Sequence, residues 1–569
     1  MSQHVLIIGA VALGPKAACR FKRLEPGSTV TMIDQNSCFS YGGCGIPYYV
    51  SGDVSDVKEL CNTSFHMTRD ETFFKEVKGV DMQPRTKALS IDREKKQVLV
   101  ERLDSGEQET LSYDKLVIAT GSSPRRLPLP GAELEGVHVV ADLNDAEKIR
   151  AAVTKGEVSK AVIVGAGFIG LEMAEALTDM WGVETTVVEI TDQILPGLVS
   201  PTIARMARRH MEEQGVEFQL GQTVQRIEAA EGGERVAKVV TSAGELEADL
   251  VILAAGVVPS DKLARECGLA CSERGGILVD EQMRTSDPDI FAGGDCVVVK
   301  HLVSDQPFFL PLGSMSNRQG RVIGDNLAGR GKTFPGAVGS FVVKLFETSV
   351  AGTGMSLAAA KRAGLDAISV FQIQLDRAHF YPTKELMTLE LVVEKGTRRV
   401  LGIQGFAGSG DAMVGRVNAV AALLPHKPTV DDLSTMELAY SPPFASAMDV
   451  LNSLGNVADN VLEGRNVGIL PDEFAECWES DQGECYFLDC REAADAGQYV
   501  ERLEKWHNIP QGKLAERIAE LPRDKRIVLV CNTGARSYEA QITLMDQGFT
   551  DVLNLQGGMA GLKKWGLEL

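Results

Sequence analysis

Short unbroken apolar runs, each closed by glycine, recur along the 569-residue chain: "HVLIIG" at 4–9, "KLVIATG" at 115–121, "AVIVG" at 161–165 and "LVILAAG" at 250–256. A run of this length with no polar alternation reads as a strand buried on both faces, the habit of a parallel sheet. Two of them continue through a glycine turn into a helix and a second strand. "HVLIIGAVALGPKAACRFKRL" leads to "STVTMID", with Pro15 in the first helical turn, where its missing N–H matters least. "KAVIVGAGFIGLEMAEALTDMWGVETTVVEI" repeats the sequence of elements. Asp34 closes the first unit, twenty residues beyond Gly14, and Glu189 the second, nineteen beyond Gly170. Two dinucleotide-type units in one chain are the main organising feature.

The texture then changes. "TSDPDIFAGGDC" adds a strand ending at Asp295, and from about residue 335 strands such as "SFVVKLFE" and "TLELVVEK" alternate with helices such as "MVGRVNAVAALL". That pattern predicts an α+β domain with an antiparallel sheet. Near residue 465 a short α/β unit begins, containing "ECYFLDCRE", "KRIVLVCNTGARSYEAQITLMDQG" and "DVLNLQGG". The expected fold class is α/β with two Rossmann-like units, an α+β domain and a C-terminal α/β domain.

Charge and composition narrow the partners. A formal charge of −20 argues against nucleic acid and an anionic membrane surface. Eleven cysteines in so long a chain are no disulfide framework and imply a reducing compartment. No segment approaches the ~20 apolar residues that cross a bilayer. At the N-terminus no basic residue precedes the apolar run, and Lys16 stands where a lipoprotein cleavage site wants an aliphatic. A cytoplasmic protein is expected.

"GAGFIG" at 165–170 is a full G-x-G-x-x-G in strand–turn–helix context. Gly165 makes the turn, Gly167 admits a pyrophosphate and Gly170 lets helix and strand pack. The phosphates then meet the free N–H groups and positive end of the helix. Glu189 is placed to accept from both ribose hydroxyls, and the following "ITDQ" offers no arginine for a 2′-phosphate, so NADH is favoured over NADPH. In "GAVALG" at 9–14, Gly9 and Gly14 are kept but Val11 replaces the middle glycine. Asp34 and Asp295, carboxylates at strand ends, complete a site assembled from distant segments that suits FAD. Gly121 belongs with that site and Gly256 with the NADH site. A nicotinamide site beside a flavin site implies hydride passing from NADH to FAD and onward.

"CFSYGGCGIPYYVSG" at 38–52 holds Cys38 and Cys44. Cys44 can be a packed thiol, half of a disulfide with Cys38, or a nucleophile. Five residues separate the two cysteines, broken by Gly42 and Gly43, whereas an internal redox pair of the glutathione-reductase type has four. The reading taken is a thiolate nucleophile near the flavin, its pKa lowered by a helix N-terminus, with Cys38 as packing.

Over residues 1–460 the chain resembles the two-dinucleotide flavoprotein disulfide reductases. "SYGGCGIPYY" is similar to the single-cysteine signature of coenzyme A-disulfide reductases and their NADH oxidase and persulfide reductase relatives. "PLGSMSNRQGR" (311–321) and "LAYSPPFASAMDVLN" (438–452) are similar to further blocks of that branch. Leu13, Tyr41 and Gly43 depart from it. The resemblance implies coenzyme A in a groove near Cys44, at Arg20, Lys22, Arg23, Ser40, Asn317 and Arg321. For Lys22 taken alone, a solvated helix face is preferred. It further implies that Tyr381 and Tyr440 are brought to a partner subunit's active site in a homodimer.

Residues 466–569 resemble a rhodanese domain. Within "CNTGARS", Cys531 to Arg536 has the six-residue length of the sulfurtransferase loop, and successive N–H groups there make a nest for a thiolate or persulfide. "LDCRE" (488–492) matches the family's first motif, with Asp489 and Arg491 supporting the loop and Cys490 as packing.

The expected organisation is therefore an FAD-binding domain (1–150 and 275–330), an NADH-binding domain (151–274), a dimerisation domain (331–465) and a rhodanese domain (466–569). The expected activity is NADH-driven reduction of persulfide, polysulfide or coenzyme A disulfide at Cys44, releasing hydrogen sulfide or thiol. The rivals are an NADH oxidase, with Cys44 cycling through sulfenic acid, and a non-catalytic NADH sensor.

Overall fold

A computed structural model of the chain describes residues 2–408 and 410–569. By contact it divides into two units, one running to Ile190 and resuming over Val216–Ala337, the other made of Thr191–Gly215 and Val338–Leu569.

In the first unit the apolar runs form two five-stranded parallel sheets. The first has the order Ile290–Ala292, Lys115–Ile118, His4–Ile8, Thr29–Ile33, Asp81–Gln83. The second runs Val216–Leu220, Glu184–Glu189, Lys160–Val164, Leu250–Leu253, Val137–His138. Val5, Leu6 and Ile7 are wholly buried, as an apolar run covered on both faces must be. Helix Leu13–Leu24 lays Leu13, Ala17, Ala18 and Phe21 against the sheet. Its other neighbour is helix Gly313–Leu327, and the approach is close. A Cβ on Gly320 would lie 2.8 Å from the Leu13 carbonyl oxygen, and one on Gly324 2.8 Å from that of Ala17. The unit also holds two antiparallel three-stranded sheets, Thr86–Ser112 and Val224–Glu247, and two smaller sheets, one pairing Ser122–Pro124 with Val257–Pro259 and one of Ile277–Leu278, Val297–Lys300 and Pro307–Phe308.

The second unit contains the expected antiparallel sheet, in the order Phe341–Leu345, Thr348–Gly354, Val400–Ala407, Leu386–Glu394, Ala367–Leu375. Helix Pro201–Glu213 packs on it, burying Ile203, Ala204, Met206, Ala207 and Met211. Its cap Ser200 donates its N–H to Gln404 at 2.7 Å and its hydroxyl to Glu390. Thr191–Gly215 groups with the second unit because its apolar face is satisfied there.

The C-terminal part of this unit is a parallel sheet, Gly468–Ile469, Val552–Leu555, Arg526–Val530, Cys485–Asp489, Trp506–Asn508. Strand Arg526–Val530 shows the period of two: Ile527 and Leu529 enter one apolar cluster, Val528 and Val530 the other. Among the described residues no helix is long and apolar enough to cross a membrane.

Candidate active sites

Both glycine turns of the first unit are built alike. Gly9 and Gly165 have φ of +108° and +113°, which only glycine adopts freely. A Cβ on Gly14 would lie 2.0 Å from the Gly9 carbonyl oxygen, and one on Gly170 1.9 Å from that of Gly165. These glycines therefore close the strand–helix packing. A Cβ on Gly167 would meet nothing within 4 Å, which leaves room for a ligand at that turn; Val11 occupies the matching place in the first. Neither helix, Leu13–Leu24 or Phe168–Thr178, receives a side-chain cap at its N-terminus, the end of a helix that favours an anion.

Each turn is braced by the carboxylate that closes its unit. Asp34 accepts from the N–H groups of Ala10 (2.8 Å) and Asn36 (2.9 Å). Burial pushes its carboxyl up, against those two bonds. Glu189 accepts from Ala166 N–H at 2.8 Å. Asp295 accepts from the Ser122 hydroxyl at 3.1 Å, and burial pushes it up while Ser122 and Ser316 hold it down. Beside it, Gly294 N–H donates to Gln319 at 2.7 Å. Gly121 and Gly256, at strand ends with φ of +66° and +89°, face open space. This donor and acceptor set fits two dinucleotides.

Cys44 occupies the single turn Gly43–Gly45, which runs into helix Ile46–Ser51. The turn is pinned by Gly42 N–H to Leu60 O and Gly45 N–H to Gly42 O, both 2.9 Å. Its sulfur lies 3.7 Å from where a Gly313 Cβ would be, at the start of helix Gly313–Leu327. The expected lowering of its pKa is corrected by the structure. Cys44 is exposed, yet the protein packed around its sulfur, then Glu172 and Asp295, hold the thiol above its ordinary value, and the N–H of Gly313 only partly offsets them. The following helix is six residues long, too short to outweigh two carboxylates. Glu172 is itself pushed up to about 7 by burial and by Glu175. Cys38 and Cys44 are both free thiols.

Of the residues expected to hold coenzyme A, Arg20 and Lys22 have partners within the chain. Arg20 is paired with Asp325 (2.6 Å), linking the two packed helices. The Lys22 ammonium donates to the carbonyls of Pro26 and Ser28, at 2.8 and 2.7 Å. Arg23, Asn317 and Arg321 are exposed. Asn317 donates to the Gly313 carbonyl at 2.9 Å, one peptide from the Cys44 sulfur. Ser40 is buried with φ of +52°, its N–H on the Ala10 carbonyl at 2.8 Å, and so sits against the first glycine turn.

In the second unit the Cys531 sulfur is buried and accepts two bonds, from Gly534 N–H and from the Ser537 hydroxyl, each 3.2 Å. Gly534, with φ of +99°, turns the loop into helix Ala535–Asp546, whose second residue is Arg536. The loop is braced from behind. Met559 N–H bonds the Cys531 carbonyl at 2.9 Å and Ala560 N–H that of Asn532 at 3.0 Å. A Cβ on Gly558 would come within 2.3 Å of the Cys531 oxygen. Asp489 and Arg491 form a buried pair, with Nη2 to Oδ2 at 2.6 Å. Between them, Cys490 N–H bonds Val530 O at 2.8 Å, one residue before Cys531. The loop opens onto a cavity of about 1420 Å³, whose walls include Arg209, Arg377, Arg502, Arg536, Lys563 and Tyr440. Tyr381 is half-buried in the loop before Leu386–Glu394, its N–H on Ala378 O at 2.9 Å.

Residues 3–316 match the pyridine nucleotide-disulphide oxidoreductase family. The chain belongs to that family. Residues 340–451 match the dimerisation domain of the pyridine nucleotide-disulphide oxidoreductases, and 471–564 the rhodanese-like domain. A family member from Pyrococcus abyssi, named NAD(P)H sulfur oxidoreductase (CoA-dependent), is 36% identical over 457 residues, 80% of this chain and 98% of that one. A structure titled as an NAD-dependent persulfide reductase from A. fulgidus is 39% identical, with a TM-score of 0.91 over 98% of this chain and 99% of that one. Another, titled reduced Bacillus anthracis CoADR-RHD, is 30% identical, with a TM-score of 0.89 over 99% and 98%. The oxidoreductase and rhodanese resemblances read from the motifs are thereby borne out.

Several residues of these sites escape a reading of motifs. Gln319 and Ser316 stand beside "GGD" through a helix that follows it by some twenty residues, and nothing local announces that pairing. Ser122 was within reach, since it follows Gly121 directly. Arg209 and Arg377 join the Cys531 cavity from segments far away in the sequence, and only the fold brings them there.

Proposed function

We propose that this chain is an FAD- and NADH-dependent reductase of sulfur–sulfur bonds, acting on a persulfide, polysulfide or coenzyme A disulfide, with a fused sulfurtransferase domain at 466–569. The carrying observation is Cys44: a free thiol in a pinned turn, beside Gly313 N–H and near Asp295, with no second cysteine at working spacing. The names of the relatives in Pyrococcus abyssi and A. fulgidus support the same reading.

FAD, when bound, relays an electron pair from NADH to sulfur. Gly9, Val11, Gly14, Asp34, Gly121 and Asp295 would hold it; Gly165, Gly167, Gly170, Glu189 and Gly256 would hold NADH, with Glu189 selecting it over NADPH. The Cys44 thiolate attacks the sulfur–sulfur bond. With R–S–S–R it forms Cys44–S–S–R and releases RS⁻; with R–S–SH it takes the outer sulfur as Cys44–S–SH and releases RS⁻. Two electrons and one proton then restore the Cys44 thiolate and free RSH or hydrogen sulfide. Gly313 N–H steadies the thiolate that its carboxylate neighbours disfavour. Arg23, Asn317 and Arg321, exposed on the same two helices, are the groups left to meet coenzyme A phosphates; Arg20, Lys22 and Ser40 shape the groove. Cys531, in its nest of Gly534 N–H and Ser537, carries sulfane sulfur, and Arg536 draws in the anion. Tyr381 and Tyr440 complete a partner's Cys44 site in a homodimer. A reducing cytoplasm suits eleven free thiols.

The test is NADH consumption compared across polysulfide, coenzyme A persulfide, coenzyme A disulfide and oxygen. Sulfur acceptors should be preferred, and Cys531→Ser should abolish sulfurtransfer while sparing small acceptors. Oxygen turnover exceeding every sulfur acceptor would refute the reading in favour of an oxidase, and no turnover with any acceptor in favour of a sensor.

A further inference from the structure

Two other cysteines have no part in this chemistry. Cys477 lies on helix Pro471–Ser480 and Cys485 opens strand Cys485–Asp489. Both are free and half-buried, and their sulfurs are 3.2 Å apart. Forming a bond of about 2.05 Å would bring them only about 1.2 Å closer.

The turn between them is fixed so as to hold the pair. Asp481 accepts from Gly483 N–H (3.1 Å) and Cys485 N–H (2.9 Å), and Gly483 takes φ of +98°. From the other side Lys505 donates to the Asp481 carbonyl at 2.8 Å and lies over the Trp478 ring, 5.6 Å from its centre. Either thiol can donate its S–H to the other across this contact, and burial, then Cys477, push the Cys485 thiol up to about 12.

We propose that Cys477 and Cys485 are a redox-active dithiol, oxidised to a disulfide by low-molecular-weight disulfides or persulfides. The deprotonated Cys477 sulfur attacks R–S–S–R, forming Cys477–S–S–R and releasing RS⁻. Cys485 then attacks the Cys477 sulfur, displaces the second RS⁻ and gives up its proton. Two thiols lose two electrons and two protons, and one disulfide becomes two RSH. With R–S–SH the products are RSH and hydrogen sulfide. Excess thiol reverses the reaction. The site fastens helix Pro471–Ser480 to the strand whose far end carries Asp489, so it reports sulfur oxidation within the sulfurtransferase domain without occupying Cys531.

The full-length holoprotein would be treated with oxidised glutathione or inorganic polysulfide, alkylated, and digested with trypsin without reduction. One peptide, 466–491, holds Cys477, Cys485 and Cys490. It should lose the mass of two hydrogens and take up one alkyl group in place of three. Dithiothreitol should restore all three, and Cys477→Ser or Cys485→Ser should each prevent the change. Retention of three alkyl groups in a sample whose Cys44 has been modified would overturn the proposal. So would a mixed disulfide that persists on Cys477, or closure onto Cys490 in Cys477→Ser. If neither serine variant keeps the parent's circular dichroism, fragmentation of the parent peptide locates the bond instead.

Discussion

Arg491→Ala isolates what holds the Cys531 loop from below. The Asp489 side chain is 0% exposed and that of Arg491 7%. Three contacts join them: Nε to each carboxylate oxygen at 3.0 Å and Nη2 to Oδ2 at 2.6 Å. Truncation removes all three but leaves Asp489 with Trp506 Nε1–H (3.1 Å) and the backbone N–H of residue 491 (2.9 Å). Stranding one member of a buried pair costs about 3–5 kcal/mol, and the surviving donors place this case near the lower end. Loss of the guanidinium from the Tyr499 face, 5.0 Å away, adds roughly 0.5–1 kcal/mol. The expectation is about 3–4 kcal/mol, read from urea unfolding by tryptophan emission, since Trp478 and Trp506 both lie in this domain's core. Flavin absorbance monitors the first unit in the same titration. Asp489→Asn with Arg491→Met, which removes both charges and keeps an acceptor for Trp506 and the residue 491 N–H, should recover at least about 1 kcal/mol of that loss. A single variant within about 1 kcal/mol of the parent, or a double variant no better than the single, would refute the reasoning.

Cys44→Ser should keep FAD and NADH-driven bleaching of the flavin while losing turnover with persulfide and disulfide acceptors; mass spectrometry of the parent should find a thiol or sulfane-sulfur adduct on Cys44. Glu189→Ala should narrow the preference for NADH over NADPH, seen in the ratio of kcat/KM values, and equal efficiency in the parent would count against the ribose assignment. Asp295→Ala should weaken flavin retention by about 1.5–3 kcal/mol, the worth of a hydrogen bond to a charged group, measured by dialysis and reconstitution. Glu390, buried, is pushed up from 4.5 to about 7, mainly by burial. Between those values the native state binds more protons than the unfolded, so the second unit should lose stability as pH rises, on the order of 3 kcal/mol at most. Glu390→Gln should flatten that slope in unfolding experiments at pH 4 to 8.

The strands were legible because burial on both faces forces unbroken apolar runs, and "VLII", "VIV" and "LVIL" have little other use for their composition. The glycine turns were legible because a φ near +110° at Gly9 and Gly165 leaves little choice of residue. The pKa of Cys44 was not, since it depends on Glu172 and Asp295, which are distant in sequence and meet the thiol only in the fold. Nor were the basic residues of the first helix. Their partners lie elsewhere in the chain: Arg20 answers a buried aspartate and Lys22 a pair of carbonyls. The small antiparallel sheets went unread because their strands, such as "EQETLS", carry almost no apolar signal.

The excursion of Thr191–Gly215 into the second unit bears on how the molecule is made. The backbone passes between the units at three places, after 190, 215 and 337, so neither unit is a continuous length of chain. On a ribosome the helix Pro201–Glu213 emerges well before the sheet that covers Met206 and Met211, and it must wait with that face bare for the synthesis of Val400–Ala407. A fragment begun at Val338 inherits the opposite fault: its sheet lacks a helix, and Gln404 and Glu390 lose the partner they have in Ser200. Expressed alone it should aggregate, and addition of a peptide spanning 191–215 should rescue it.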